Sequence, residues 1–171
     1  MIQTPPLRFT AYAAMSIDRW IGTDPTKLPE WTSLQDKTFL AEHLREVDAR
    51  VMGRNTYEAA KSRLAGKTVF VFTSGEQRQE GTVTFLNPAK SDLRRAFAPF
   101  KRVAILGGGR VYQTMLEKGY LHEFFLTIEP IVLGNGIPLF SGGLVPFRMH
   151  LVSMNQLNAD GTILLQYRPK R

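Results

Sequence analysis

The sequence predicts an α/β fold: a central, mostly parallel sheet flanked by helices, with antiparallel strands towards the C-terminal end. Three observations carry this. Strand-like and helix-like patterns alternate through the first two thirds of the chain. Two apolar strands break into glycine and then into a helical pattern, at Gly53-Arg54-Asn55-Thr56-Tyr57 and at Gly107-Gly108-Gly109-Arg110-Val111-Tyr112. After Lys118 the helical patterns stop, and a long strand-like run leads to two further strands separated by Asn158-Ala159-Asp160-Gly161, whose Asp-Gly pair is a hairpin signal.

The elements follow in order. Phe9 to Ala14 is an apolar run of strand length. Gly22 to Thr32 carries Pro25 and Pro29 and reads as a long loop. Ser33 is an N-cap for a helix running to about Asp48. Arg50 to Met52 is a short strand, Asn55 to Arg63 a short helix, and Lys67 to Phe72 a strand rich in Val and Phe. Val83 to Leu86 is a strand, Asp92 to Ala98 a helix, Arg102 to Leu106 a strand and Arg110 to Lys118 a helix. His122 to Leu133, Phe147 to Leu157 and Thr162 to Arg168 close the chain as strands. With no repeat, linker or low-complexity stretch, residues 1–171 read as one domain.

Composition narrows the function. The chain has 171 residues, 43% of them apolar, enough for a sizeable core. No apolar run is long enough to span a membrane, and Met1 to Phe9 lacks the pattern of a signal peptide, so a cytoplasmic location is expected. Cysteine is absent, which excludes thiol catalysis, disulfides and Cys-ligated metals. His43, His122 and His150 lie far apart and outside any metal-ligand spacing, so no metal is expected. The net charge is +7, from 22 basic and 15 acidic residues. The basic residues fall into small clusters, Arg94-Arg95, Lys101-Arg102 and Arg168 to Arg171, without an aromatic-rich companion. The charge could serve nucleic acid or a small polyanion, and equally suits a solvated surface with a basic bias; without an RNA-binding signature, no nucleic-acid partner is expected.

The two strand–glycine–helix turns are the sharpest features. Helix N-termini present unpaired N–H groups, and glycine lets backbone come close to a ligand. Arg54 and Thr56 in one turn and Arg110 in the other add the donors that suit phosphates. Arg54 and Thr56 equally fit a helix start with a surface arginine. Gly107-Gly108-Gly109 is harder to explain as a tight turn, because three successive glycines cost chain entropy. The spacing is not the G-x-G-x-x-G of Rossmann folds. Two grips in one small chain point to a long, multiply charged ligand such as a dinucleotide.

Three stretches resemble the signatures of dihydrofolate reductases, in that family's order: Met15-Ser16-Ile17-Asp18-Arg19-Trp20-Ile21-Gly22, Met52-Gly53-Arg54-Asn55-Thr56-Tyr57 and Gly107-Gly108-Gly109-Arg110-Val111-Tyr112. The later run Glu129-Pro130-Ile131-Val132-Leu133-Gly134-Asn135-Gly136-Ile137-Pro138-Leu139-Phe140 resembles the C-terminal reductase domain of the bifunctional riboflavin-pathway deaminase–reductase, which shares that fold. The resemblance implies an NADPH-dependent reductase acting on a C=O or C=N group of a small heterocycle, or on dihydrofolate itself. The deaminase part would be missing, since a zinc deaminase needs cysteine ligands. A non-catalytic NADPH-binding module is the alternative from another class. The resemblance places Ala14 and Ile21 beside the nicotinamide. Gly53, Arg54, Asn55 and Thr56 fall at the adenosine end with its 2′-phosphate, and Thr73 and Ser74 beside the adenosine. Gly107, Gly108, Gly109, Arg110, Val111 and Tyr112 wrap the pyrophosphate and nicotinamide ribose. It also implies a cis peptide between Gly107 and Gly108, and a homodimer, for which residues 147–168 offer a pairing surface.

On the substrate side, dihydrofolate reductases place a carboxylate on the first long helix. Asp36 is the candidate here, although counting back from Gly53 puts the family position on Lys37. Asp36 shares a helical stripe with Leu40, Leu44 and Val47, and an inward acid needs a partner. Its spacing from Ser33 equally suits a capping box. Asp18, in the segment that borders the substrate cleft of the riboflavin branch, is the second candidate acid; Arg19 stands where that branch has glycine, and a turn acid paired with Arg19 is the plainer role. Trp31, with Trp20, is a candidate ring-pocket wall or simple packing. The resemblance puts Thr127 near the substrate ring.

Overall fold

The computed structural model describes residues 6–143 and 146–170; residues 1–5 and 144–145, and Arg171 of the basic C-terminal cluster, lie outside the described residues. The chain runs β1 (Arg8–Ser16), β2 (Trp20–Gly22), α1 (Leu34–His43), β3 (Ala49–Gly53) and α2 (Arg54–Ala60), which tightens into a 3-10 turn over Lys61–Arg63. It continues as β4 (Val69–Phe72), β5 (Arg78–Glu80), β6 (Val83–Leu86), α3 (Leu93–Phe97), β7 (Arg102–Ile105) and α4 (Gly109–Glu117). β8 (Glu123–Glu129), β9 (Ile137–Pro138), β10 (Met149–Gln156) and β11 (Ile163–Pro169) complete it. Nine strands form one sheet in the order β10-β11-β8-β1-β7-β3-β4-β6-β5. From β8 to β6 every neighbour is parallel; β11, β10 and, at the far edge, β5 run antiparallel. The expected architecture is therefore present, with an antiparallel strand on each edge rather than on one.

The period of two along a strand decides what each face does. Phe9, Ala11, Ala13 and Met15 of β1 join Phe124, Leu126 and Ile128 of β8 in the main core, which Phe97 of α3 and Met115 of α4 complete. Phe9, Phe97 and Met115 are fully buried, each stabilising the fold by about 2–3 kcal/mol. A second cluster, with Met52, Tyr57, Val69, Val71 and Phe85, packs α2 on the other face. The alternate residues of β1 and β8 turn towards α1 and the cleft beside it, Tyr12 and Ala14 from one strand and Phe125 and Thr127 from the other.

Several boundaries differ from the sequence reading. α1 ends at His43, not near Asp48, because Leu44 caps it and the chain then turns so that the Asp48 carboxylate accepts the N–H groups of Lys101 and Arg102, both at 2.8 Å. The long strand from His122 stops at Glu129: after Pro130 the N–H of Ile131 turns back to the Glu129 carbonyl at 2.8 Å. β2, β5 and β9 were not expected, being two or three residues long with no periodicity to read. β2 pairs antiparallel with β9 through Trp20 and Pro138, so Trp20 is a strand residue. The hairpin at Asp160-Gly161 joins β10 to β11, with Gly161 at φ +97°. Among the described residues no helix is long and apolar enough to cross a membrane.

Candidate active site

A cleft of about 1020 Å³ runs past the carboxyl ends of β1, β3, β4 and β7, bordered by α1, α2 and the loop before α1. Every residue assigned above to a cofactor lines it: Ala14, Ile21, Gly53, Arg54, Asn55, Thr56, Thr73, Ser74 and the stretch Gly107 to Tyr112. The two glycine turns touch, the Gly53 N–H donating to the Gly107 carbonyl at 2.8 Å. α2 and α4 begin at Gly53 and Gly108 caps without a side-chain hydrogen bond, so their first N–H groups are left for a ligand. The Gly107–Gly108 peptide is cis.

The three glycines serve three ends. Gly107 sits at φ +100°, where a side chain is strained. A Cβ on Gly109 would lie 2.6 Å from both the Pro138 carbonyl oxygen and Ser141 Oγ, so this glycine lets α4 approach the β9 segment. A Cβ on Gly108 would meet only Thr56 Oγ1, at 3.8 Å, and would take up cleft space instead. Arg54 and Arg110 reach the same cleft with no carboxylate partner among the described residues. Open glycine backbone, uncapped helix ends, unpaired guanidinium groups and the Thr56, Thr73 and Ser74 hydroxyls are a donor set that fits a dinucleotide with its phosphates.

The other half of the cleft is built around Asp36, which is 8% exposed. The Ser33 hydroxyl accepts from the Asp36 N–H at 3.2 Å, as a cap should. The reciprocal half of a capping box is not made by Asp36. Glu129, at the end of β8 and 3% exposed, accepts both the Ser33 N–H and the Ser33 hydroxyl, with Thr162 donating to its other oxygen at 2.7 Å. Asp36 is thereby left to face the cleft with Thr127 and Thr32 as its hydroxyl partners. Burial raises its pKa above the usual carboxylate value, and the neighbouring Glu129 charge adds to this; the Thr127 and Thr32 hydrogen bonds and Lys37 oppose it. Further along the same wall Tyr12 and Phe125 stack with ring centroids 5.6 Å apart, and Phe39 of α1 meets Phe125 edge-on at 5.2 Å. Tyr112 ties α4 to this wall by donating its hydroxyl to the Tyr12 carbonyl at 2.6 Å.

Asp18 does not line the cleft. Its carboxylate accepts the Ser16 hydroxyl at 2.6 Å, the Gly134 N–H at 2.7 Å and the Leu133 N–H at 3.1 Å, clamping the β1–β2 turn to the loop after β8. These donors, Ser16 first, lower its pKa to about 2, so it stays ionised and fully occupied. Arg19 does not pair with it; it sits at φ +80°, a conformation natural to glycine, with its guanidinium over the Trp20 ring. Trp31 borders a smaller hollow beside the main cleft, formed by Gly22 to Trp31, and takes no part in the cleft wall.

Sequence reasoning missed Tyr12, Thr32, Phe39, Arg50 and Phe125 as cleft residues, and Glu129 as the cap of α1. The alternation Phe125-Thr127-Glu129 was a usable signal: an aromatic, a hydroxyl and an acid on one face of a strand whose other face is wholly apolar.

The family model for dihydrofolate reductase matches residues 8–128. This chain belongs to the dihydrofolate reductase family. The matched stretch ends at β8, so the hairpin of β10 and β11 lies beyond it. The chain is 31% identical over 140 residues to the uncharacterized protein YwjB of Bacillus subtilis (strain 168), covering 75% of this chain and 80% of that one. Among solved structures it resembles a putative riboflavin biosynthesis protein from Shewanella sp. PV-4, with a TM-score of 0.74 and 23% identity over 96% of this chain and 100% of the other. A pyrimidine reductase-like protein from Corynebacterium diphtheriae gives a TM-score of 0.75 at 17% identity, over 96% of this chain and 92% of the other. The Thermotoga maritima diaminohydroxyphosphoribosylaminopyrimidine deaminase/5-amino-6-(5-phosphoribosylamino)uracil reductase gives 0.74 at 19% identity, over 96% of this chain but 57% of that one. These structures share the dihydrofolate reductase-like fold, including strands past the end of the family match.

Proposed function

We propose that the protein is an NADPH-dependent reductase that adds a hydride and a proton across a C=O or C=N group of a small heterocycle, as riboflavin-pathway reductases do. The observation that carries this is the freed Asp36 carboxyl, hydrogen-bonded to Thr127 in the same cleft as the open glycine turns. The names of the structural neighbours support the class of substrate.

NADPH, when bound, supplies a hydride from C4 of its nicotinamide. Arg54, Thr56, Thr73 and Ser74 would hold its adenosine end and 2′-phosphate, and Gly107 to Tyr112 its pyrophosphate. Ala14 and Ile21 present an apolar face where the nicotinamide ring would lie, and the loop before α1 borders the cleft. Asp36 keeps a proton to higher pH than an ordinary aspartate does. It donates that proton to the acceptor nitrogen or oxygen, directly or through one water, while Thr127 fixes the carboxyl's orientation.

Asp36 on the first long helix, with Thr127 of β8 beside it, also favours a second reading, in which dihydrofolate is the acceptor. Loss of NADPH absorbance on adding dihydrofolate, or aminopyrimidine ribosyl compounds, separates the two. Oxidation with neither, alongside tight NADPH binding, would leave a non-catalytic nucleotide-binding module. We also propose pairing of two copies through β10, whose Leu151, Val152 and Met154 are exposed. Light scattering on the eluted protein tests this, a monomer at micromolar concentration counting against it.

A further inference from the structure

The buried Glu129 carboxylate is held by neutral donors alone. Among the described residues no cation pairs with it. Ser33 supplies two of its donors, and the third is the hydroxyl of Thr162, which is 1% exposed. A threonine hydroxyl has one proton, and here Asn158 decides where it points. The Asn158 amide donates to Thr162 Oγ1 at 2.9 Å, which leaves the Thr162 proton for Glu129 at 2.7 Å. The Thr162 N–H returns to Asn158 Oδ1 at 3.1 Å. The two residues lock each other across the turn that joins β10 to β11.

This turn is tied to the first turn of α1 at two points. The Asn158 amide also reaches Gln35 Oε1 at 3.3 Å. Thr162 reaches Ser33 through Glu129, and the Ser33 hydroxyl in turn takes the Asp36 N–H at 3.2 Å. One unbroken chain of hydrogen bonds therefore runs Asn158, Thr162, Glu129, Ser33, Asp36. Glu129, Asn158 and Thr162 all lie past residue 128, where the family match ends. Thr162 itself does not line the cleft, so whatever it does there it does through Glu129.

We infer that Thr162, oriented by Asn158, is a positioning residue for the reaction: it fixes the Glu129 carboxylate against Ser33, and so sets where Asp36 stands in the cleft and what charge it faces. The inference rests on the reading of Asp36 as the proton donor. Without the Thr162 hydroxyl, one buried oxygen of Glu129 has no donor. It regains a partner by taking up a proton or by turning away from Ser33. Either change weakens the charge beside Asp36 and frees the helix start. The other charged or titratable groups around Asp36 are Lys37 on its own helix and Tyr112 of α4, whose phenol burial pushes up. Neither touches the hairpin turn, so a change made at Thr162 reaches Asp36 through Glu129.

Carbon NMR of the full chain with isotope-labelled aspartate carboxyls follows the Asp36 resonance, identified by its loss in Asp36→Asn, through a pH titration. It needs neither NADPH nor an acceptor, so it can fail while the reductase reading stands, and the reverse. The wild type, Thr162→Val, Thr162→Ser, Asn158→Ala and Ser153→Ala are compared. The Asp36 midpoint is expected to fall by about half a pH unit or more in Thr162→Val and to return close to the wild-type value in Thr162→Ser, which restores the hydroxyl. Asn158→Ala keeps the Thr162 side chain but frees it to rotate, so it serves where Thr162→Val does not fold, and the midpoint should fall there too. Ser153→Ala costs the same hairpin a hydrogen bond to Gln166, at 2.9 Å, and should leave Asp36 unmoved. An unmoved midpoint in Thr162→Val, or in Asn158→Ala if Thr162→Val does not fold, overturns the inference. An equal fall in Ser153→Ala, or no recovery in Thr162→Ser, overturns it as well.

Discussion

Glu129 accepts the backbone N–H of Ser33 at 2.7 Å and its hydroxyl at 2.8 Å, so the first helix is closed at its N-terminus by an acid from the end of β8. With a hydroxyl from Thr162 as well, this buried carboxylate is the anchor of the half of the cleft that holds Asp36. Glu129→Ala leaves those donors buried and unmet, and is expected to destabilise the fold by about 3 kcal/mol. Glu129→Gln keeps an acceptor for Ser33 and should lose less. It also removes the charge that adds to the burial-driven rise of the Asp36 pKa, so any activity depending on protonated Asp36 should fall off at lower pH than in the wild type. Urea melts and pH–rate profiles of the two variants check both points.

Asp36→Asn should reduce turnover at least about a hundredfold, since an amide cannot give up the proton. Stability should move the other way. The folded-state pKa of Asp36 lies above its ordinary 3.8, so its favourable contribution is complete below 3.8 and disappears as pH rises through the folded value. The variant should therefore melt higher than the wild type at neutral pH and lose that advantage in acid. Parallel melts at pH 4 and pH 8 decide this; a variant less stable at both would show that the carboxylate holds the fold together.

Gly109→Ala sets a methyl group 2.6 Å from the Pro138 carbonyl, a backbone atom that can yield only if the β9 segment moves. A cost of about 2–3 kcal/mol is expected. Because α4 carries the glycine turn with it, NADPH affinity should fall alongside, whereas Gly119→Ala, with open space but φ +72°, should cost stability alone. Fluorescence titration of NADPH against each variant separates the two effects.

Asp18→Asn should lower the melting temperature at neutral pH and leave NADPH affinity nearly untouched, because the side chain clamps two turns and lies outside the cleft. Its pKa is lowered to about 2 from 3.8, so the carboxylate's stabilising contribution is present above 3.8 and lost as pH falls through about 2. The gap between wild type and variant should close over that range. A large loss of turnover at unchanged melting temperature would instead place Asp18 in the chemistry.

The lining of the glycine-turn half of the cleft was legible residue by residue, because glycine turns and helix starts are local: Gly53, Gly107 and Gly109 stand out in the sequence by themselves. The half around Asp36 was legible only in outline. Asp36 and Ser33 offered two incompatible roles, and the choice between them lay with Glu129, 96 residues away in the chain. Asp18 was misread for a similar reason, since its donors sit on Leu133 and Gly134. The end of α1 was overrun because the stripe through Leu44 and Val47 continues in sequence, while Asp48 is drawn off to Lys101 and Arg102. Short strands such as β2 and β9 exist only as each other's partners.

On β8, Phe125, Thr127 and Glu129 meet the first helix while Phe124, Leu126 and Ile128 fill the core. Adding or deleting one residue early in this strand would exchange the two sets, sending an acid into the hydrophobic interior and a leucine against Asp36. Length is thus frozen here, and a new substrate preference can be reached by replacing side chains in place. The segment from Gly22 to Thr32 is under no such parity, bordering the same cleft as a loop. It is where insertions can reshape the entrance while leaving the reacting groups where they stand.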